Sequence, residues 1–203
     1  MKVVGISGST RKDGNTAIII RTVFEELEKE GITTELIQLC DKKLTGCIGC
    51  MGCAGKGRCI LKDDDFGAIF DKVAAADGVI LGSPVYSADV SVLMKAYLER
   101  AGIVVSKNPG LLRRKAGAAV VATRRGAAMP ALDTLTHNLL NKEMLIVGSG
   151  QWNVVYGRDP GDVLKDQEGM DNMHRLGVNM AWLLNHLAPL SSENLRPRQS
   201  REG

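Results

Sequence analysis

Short apolar runs alternate with amphipathic stretches along nearly the whole chain, and this alternation most restricts what it can fold into. Residues 3–7 form a brief apolar run suited to a strand buried on both faces. Residues 16–30 then place Ala17, Ile20, Phe24 and Leu27 on one helical stripe, with Asn15 as the expected N-cap and Gly31 as the stop. Residues 33–39, rich in β-branched side chains, read as a second strand. A helix over 63–76 opens with three acidic residues, where the macrodipole favours them. Residues 78–83, 116–123 and 145–148 are three further buried-strand candidates. Helices over 91–101, 130–141 and 169–187 fit between and after them, and Pro130 suits a first turn. Strand and helix in strict succession predict an α/β fold, a doubly wound parallel sheet with helices on both faces.

At 203 residues the chain is sized for one compact domain, expected over 1–190 with a tail at 191–203. The 44% hydrophobic and 24% charged fractions suffice for a proper core. The formal net charge of +3 is spread out, which argues against a nucleic-acid partner. A basic cluster at Arg196, Arg198 and Arg201 falls in the expected tail. No apolar run reaches the ~20 residues of a membrane helix. Residues 2–6 read as a strand rather than a signal peptide, so a cytoplasmic protein without membrane contact is expected. In that compartment five cysteines do not imply disulfides.

Directly after the first strand stands Ser7-Gly8-Ser9-Thr10-Arg11-Lys12-Asp13-Gly14-Asn15-Thr16, followed by a helix. Physically this is an anion site. Glycines let the backbone wrap a ligand, and the helix offers unpaired N–H groups and a positive dipole end. Ser7, Ser9 and Thr16 add hydroxyl donors, and Arg11 adds charge. The pattern matches neither Walker A nor the dinucleotide G-x-G-x-x-G. Together with Ser83-Pro84-Val85-Tyr86 after the third strand, it resembles the NADPH-dependent FMN reductase family.

The resemblance runs over most of the chain and implies a flavodoxin-like fold with a five-stranded sheet. It also implies that Ser7, Ser9, Arg11, Asn15 and Thr16 bind the FMN phosphate. Pro84, Val85 and Tyr86 would then pack against the isoalloxazine ring, with Ser83 of the same loop among the cofactor-binding residues. A third family loop often carries two glycines and an acid; here it reads Thr123-Arg124-Arg125-Gly126, lacking the second glycine and the acid. Thr123, Arg124 and Gly126 are flavin candidates by position. Arg124 and Arg125 read either as solvated charge or as flavin or nicotinamide contacts.

Four cysteines crowd into thirteen residues, Cys47, Cys50, Cys53 and Cys59, spaced C-x2-C-x2-C-x5-C among five glycines. Iron–sulfur clusters use such compact spacing. Structural zinc more often joins two knuckles across a longer spacer, and a redox pair needs only two thiols. A cysteine-rich structural loop is the other reading. The spacing resembles the iron–sulfur flavoproteins, a branch of the same family, which implies these four cysteines as ligands of a [4Fe–4S] cluster. Cys40 stands outside the motif and is expected as a small buried residue.

His137, His174 and His186 read as helix-surface or interface residues, and Met170, Met173, Met180 and Leu184 as a packing stripe. Trp152 and Tyr156 lie in a Gly-rich segment, ending at 157–162, that reads as a lid or subunit contact. No Ser/His/Asp set or carboxylate pair stands out, which suits an enzyme whose cofactor carries the reactivity.

The leading expectation is an iron–sulfur flavoprotein passing electrons between FMN, the cluster and a partner such as ferredoxin or a small-molecule acceptor. The resemblance implies a homo-oligomer, a dimer or a dimer of dimers. One alternative is an NAD(P)H-dependent FMN or quinone reductase whose cysteines are structural. Another is a flavodoxin-type carrier without turnover, though carriers are usually more acidic than this chain.

Overall fold

The computed structural model describes residues 1–187. The expected tail and the last residues of the expected domain lie outside the described residues. In chain order the elements are β1 (Lys2–Ser7), α1 (Asn15–Lys29), β2 (Thr33–Gln38), α2 (Phe66–Ala75), β3 (Gly78–Tyr86) and β4 (Asp89–Val90). There follow α3 (Val92–Ser106), β5 (Ala116–Thr123), α4 (Ala128–Leu140), β6 (Leu145–Ile146), β7 (Val154–Tyr156) and α5 (Gln167–Leu187).

The sheet order is β2-β1-β3-β5-β6, parallel throughout, with β7 also pairing in parallel with β5. The chain passes from β1 outward to β2, then returns across β1 to β3. Ligands of such folds bind at that reversal, outside the carboxyl ends of β1 and β3.

Each strand divides its side chains between two cores. Val4 and Ile6 of β1 and Val79 and Leu81 of β3 face α2, α3 and α4. Val3 of β1, Ile80 of β3 and Ala118 and Val120 of β5 face α1 and α5. Helices therefore cover both faces, as the near-continuous apolar strands require. α1 lies close on the sheet because Gly5 and Gly82 lack side chains; a Cβ on either would come within 2.7 Å of Ile20. The Met170, Met173, Met180 and Leu184 stripe packs in this second core.

Three elements differ from expectation. The helix expected from residue 63 starts at Phe66, because Asp64 and Asp65 bond to residues 43 and 45 instead. β3 continues through Tyr86 and turns back into β4 at Ser87 and Ala88, both left-handed (φ 49° and 63°). Positive φ at both central residues matches a tight hairpin turn. The strand expected at 145–148 is shortened to β6, and a strand that was not expected, β7, follows it on the same side of β5. β6 pairs with Ala116 and Gly117 and β7 with residues 121–123. Across the interruption Asn153 donates from Nδ2 to the Ala119 carbonyl at 2.9 Å, and its backbone carbonyl accepts the Val121 N–H at 2.9 Å.

Candidate functional site

At the carboxyl edge, residues 8–14 are bonded to both neighbouring elements. Gly8 N donates to the Gly82 carbonyl at 2.8 Å. Ser91, the N-cap of α3, donates from Oγ to the Gly8 carbonyl at 2.6 Å and accepts the Met94 N–H at 3.1 Å. Its own N–H donates to Ser83 Oγ at 3.0 Å, and Ser83 Oγ donates to the Pro84 carbonyl at 2.8 Å. One buried serine thus ties the first loop to the second.

Ser9 Oγ accepts the Arg11 N–H at 3.0 Å, and α1 begins behind Gly14 with no side-chain cap. The Ala17 N–H donates to the Gly14 carbonyl at 2.9 Å, and the N–H groups of Asn15 and Thr16 before it, with the helix's positive end, open onto the loop. Asn15 is the first helical residue rather than the N-cap, because its amide is engaged elsewhere. Nδ2 donates to the Asp159 carbonyl at 3.0 Å, and Oδ1 accepts the Gly161 N–H at 2.8 Å. Arg11 Nη1 donates to the Arg158 carbonyl at 3.2 Å. These bonds draw residues 158–161 across the loop.

The cleft that results is lined by Ser9, Arg11, Asn15, Thr16, Pro84, Val85, Tyr86, Ala122, Arg124, Gly157 and Arg158. Thr10 Oγ1 and Tyr86 Oη hydrogen-bond at 3.1 Å across its mouth. Ser7, Ser83 and Thr123 stand buried behind it. Gly126 accepts from Thr123 Oγ1 at 3.3 Å and faces a neighbouring cavity of about 550 Å³, shared with Arg125, Trp152, Tyr156 and Asn172.

The donor set suits a mononucleotide phosphate. Ser7 Oγ and Thr16 Oγ1 are buried without a partner, the helix start is uncapped, and three arginines line the cleft. Its volume of about 110 Å³ falls below the ~300 Å³ at which pockets for whole drug-sized ligands begin. That volume suits a phosphate end alone, with a ring system left to the open side at residues 84–86.

The cysteine loop follows β2 and a short turn at Leu39–Asp41. That turn sends Leu39 into the core and leaves Cys40 partly exposed, against expectation. Cys47, Cys50, Cys53 and Cys59 line one cavity with Ile48, Met51, Ile60, Leu61, Arg100, Ile103 and Val104. Left-handed Gly49, Gly55 and Gly57 (φ 67°, 68° and 65°) make its turns. Gly49 N donates to Cys47 Sγ at 3.4 Å.

Among the described residues no three Cys, His, Asp or Glu side chains converge on a single ion. A zinc ion needs all its sulfurs at ≈2.3 Å. A four-iron cluster takes one thiolate per iron around a larger body, and four thiols spread about an apolar cavity suit that better.

Arg100, on α3, backs this cavity. Nη2 donates to Cys59 Sγ at 3.2 Å, Nη1 donates to Asp64 Oδ2, and the guanidinium lies 4.3 Å over the Phe66 ring. Burial pushes the Asp64 carboxyl up, but hydrogen bonds from Arg100 and from the Phe66 and Thr45 N–H groups outweigh it. The carboxyl ends below the usual carboxylate range. Further along, Asn108 donates from Nδ2 to the Cys53 carbonyl and accepts the Gly57 N–H, and Gly55 N donates to the Lys107 carbonyl at 3.3 Å. Helix α3 therefore starts at the anion cleft and ends at the cysteine loop. Ser91 and Arg100 stand about 14 Å apart along it at 1.5 Å per residue.

Sequence reasoning brought forward the cleft residues and the four cysteines but missed Arg100, Asp64, Asn108 and Arg158. The only local signal among them was at Arg158, inside the segment read as a lid or subunit contact. His174 Nδ1 pairs with Glu26 at 2.7 Å and His186 Nδ1 with the Trp182 carbonyl at 2.7 Å, both on helix surfaces. No helix among the described residues is long and apolar enough to cross a membrane.

Comparison with known proteins fits this geometry. The family described as NADPH-dependent FMN reductase matches residues 1–159. An iron–sulfur flavoprotein of Methanocaldococcus jannaschii is 38% identical over 188 residues, covering 89% of this chain and 96% of that protein. A solved flavone reductase superposes with a TM-score of 0.70 at 18% identity, over 93% of this chain and 64% of that one. A flavodoxin from the domain Archaea superposes at 0.62 with 16% identity, over 92% of this chain and 100% of that one. At such identities the superpositions establish the fold alone. The chain belongs to the NADPH-dependent FMN reductase family, a family of flavin-dependent oxidoreductases, and within it to the iron–sulfur flavoproteins.

Proposed function

We infer that this protein exchanges electrons between FMN in the anion cleft, a [4Fe–4S] cluster on Cys47, Cys50, Cys53 and Cys59, and a redox partner such as ferredoxin. The observation that supports this most is the arrangement of α3. Its first turn is hydrogen-bonded to both loops of the cleft, and its end to the cysteine loop. A scaffold that rigid is what two cofactors held in fixed relation require.

When bound, FMN supplies the one- and two-electron chemistry and the cluster passes single electrons. The protein's part is to bind and orient. Ser9 and the unpartnered hydroxyls of Ser7 and Thr16 would hold the phosphate with the α1 N–H groups, and Arg11 would supply charge. Asn15 holds residues 159–161 across the bound group. Ser83 fixes the hairpin on which Pro84, Val85 and Tyr86 meet the ring, while Arg124 borders it and Thr123 and Gly126 shape the adjoining wall.

Trp152, Tyr156 and Met129 are exposed around the larger cavity, which favours a homo-oligomer whose second subunit covers the flavin. We place the protein in the cytoplasm, where the thiols stay reduced.

Flavin bleaching under anaerobic conditions tests the assignment, with reduced ferredoxin, NADH and NADPH as donors in turn. Rapid reduction by ferredoxin and slow reduction by both nicotinamides is the expected result. Rapid reduction by a nicotinamide in protein free of iron marks a simple NAD(P)H-dependent FMN or quinone reductase instead.

A further inference from the structure

Arg100 belongs to no sequence motif, yet it is the largest fully buried side chain among the described residues. Its side chain is 1% exposed and that of its partner Asp64 5%. Burying such a pair is costly, and well-packed apolar residues usually serve stability as well or better. The pair must therefore be judged by what else it touches. Asp64 also accepts the Thr45 N–H and Oγ1–H, both at 3.2 Å, so its charge is shared with the loop. The guanidinium reaches past it to Cys59 Sγ at 3.2 Å, and Nε has no partner. A cation in a wall of Ile60, Ile103 and Val104 thus has one ligand-type sulfur, one carboxylate and, at 3.5 Å, the Thr45 carbonyl within reach.

We propose that Arg100 is a positioning residue that raises the reduction potential of the cluster through its hydrogen bond to Cys59, with Asp64 set to offset part of its charge. This rests on the cluster assigned above to the four cysteines. Reduction moves one electron from the flavin, or from dithionite in the test, onto the cluster, whose negative charge grows by one. A guanidinium fixed beside one ligand sulfur stabilises that added charge, because the apolar wall screens it weakly. Hydrogen bonds to sulfur and local net charge are the protein's main levers on cluster potential. Removing Arg100 leaves the buried Asp64 carboxylate as the nearest charge, which disfavours reduction further. Removing the Asp64 charge leaves Arg100 uncompensated and favours it.

The test is an anaerobic dithionite titration of the iron- and FMN-loaded protein, following the reduced cluster by electron paramagnetic resonance. Wild type, Arg100→Gln, Arg100→Lys and Asp64→Asn are compared after iron and sulfide have been counted in each. Arg100→Gln should move the midpoint negative by about tenfold in the reduced-to-oxidised ratio, about 59 mV for one electron. Arg100→Lys should fall between it and wild type, and Asp64→Asn should move the midpoint positive. Loosened packing does not produce opposite signs at two partners of one ion pair. Unmoved midpoints, or shifts of the same sign in Arg100→Gln and Asp64→Asn, overturn the role of Arg100 alone. Should Arg100→Gln fail to fold, the Asp64→Asn shift decides: positive supports the role, none or negative overturns it. Wild-type protein that takes up no iron or sulfide removes the cluster itself, and the inference with it.

Discussion

Asn108 donates from Nδ2 to the Cys53 carbonyl at 2.9 Å and accepts the Gly57 N–H through Oδ1 at 2.8 Å. A single amide at the end of α3 thus closes the loop between the third and fourth cysteines. Asn108→Ala removes the partners of the Cys53 carbonyl and the Gly57 N–H, and a third bond to the Val104 carbonyl, at a cost of about 1–3 kcal/mol for each group left unpaired. Urea unfolding of the variant should show its midpoint lowered, and a chelator should strip iron from it several times faster than from wild type. Unchanged iron release would mean the loop holds its shape without α3.

Asn15 has a different task. Asn15→Ala removes both bonds to residues 159–161, which are largely solvent-exposed and so contribute little to global stability. FMN affinity is expected to fall about tenfold, equivalent to ~1.4 kcal/mol, with little change in Tm. Flavin fluorescence titration of the apoprotein measures the first quantity and calorimetry the second.

Ser91 links loop and helix from a buried position. Ser91→Ala deletes the N-cap of α3 and strands the Gly8 carbonyl, a loss of about 2 kcal/mol. Because the Gly8 carbonyl is held by that hydroxyl, FMN release should quicken as well, while the residue-91 N–H still donates to Ser83 Oγ. A variant destabilised to that degree but with wild-type FMN affinity would separate the cap from the cleft.

Lys142 provides a pH dependence. Burial pulls its ammonium pKa down to about 8 from 10.5, although Nζ donates to the Asn138 carbonyl at 2.7 Å. The folded chain releases this proton near pH 8 and the unfolded chain near 10.5. Between those values the unfolded state binds more protons, so the contribution to stability rises with pH. Below pH 8 the whole cost is present, on the order of 3 kcal/mol at ~1.4 kcal/mol per pH unit. Lys142→Met should therefore be more stable than wild type by about 2 kcal/mol at pH 7, the gap closing toward pH 10. A constant gap across that range, measured by urea unfolding, rules this out. Taking the difference also cancels Lys115, whose pKa burial lowers too.

The strand–helix order and the donor-rich loop were legible because both are written in contiguous residues. An apolar run such as 116–123, set between amphipathic stretches, reads as a buried strand, and hydroxyls and glycines packed between β1 and α1 have few structural uses together. The cysteine spacing was legible for the same reason. Arg100 was not, because its meaning lies in Asp64 and Cys59, 36 and 41 positions away. Asn108 and Asn15 were opaque likewise; Asn15 had the composition of an N-cap, and a segment nearly 150 residues distant claimed its amide. β7 escaped notice because residues 154–156 are too short to stand out as a strand until β5 supplies their partners.

The central claim is that one scaffold holds a flavin and a cluster, and metal content tests it most directly. Iron, acid-labile sulfide and FMN should be measured on protein purified under strict anaerobiosis, with Cys50→Ser as the control. The account predicts about four irons and four sulfides per FMN, lost in the variant while FMN stays bound. Full FMN with neither iron nor sulfide, even after anaerobic reconstitution, would contradict it and leave a simple flavin reductase with a structural cysteine loop.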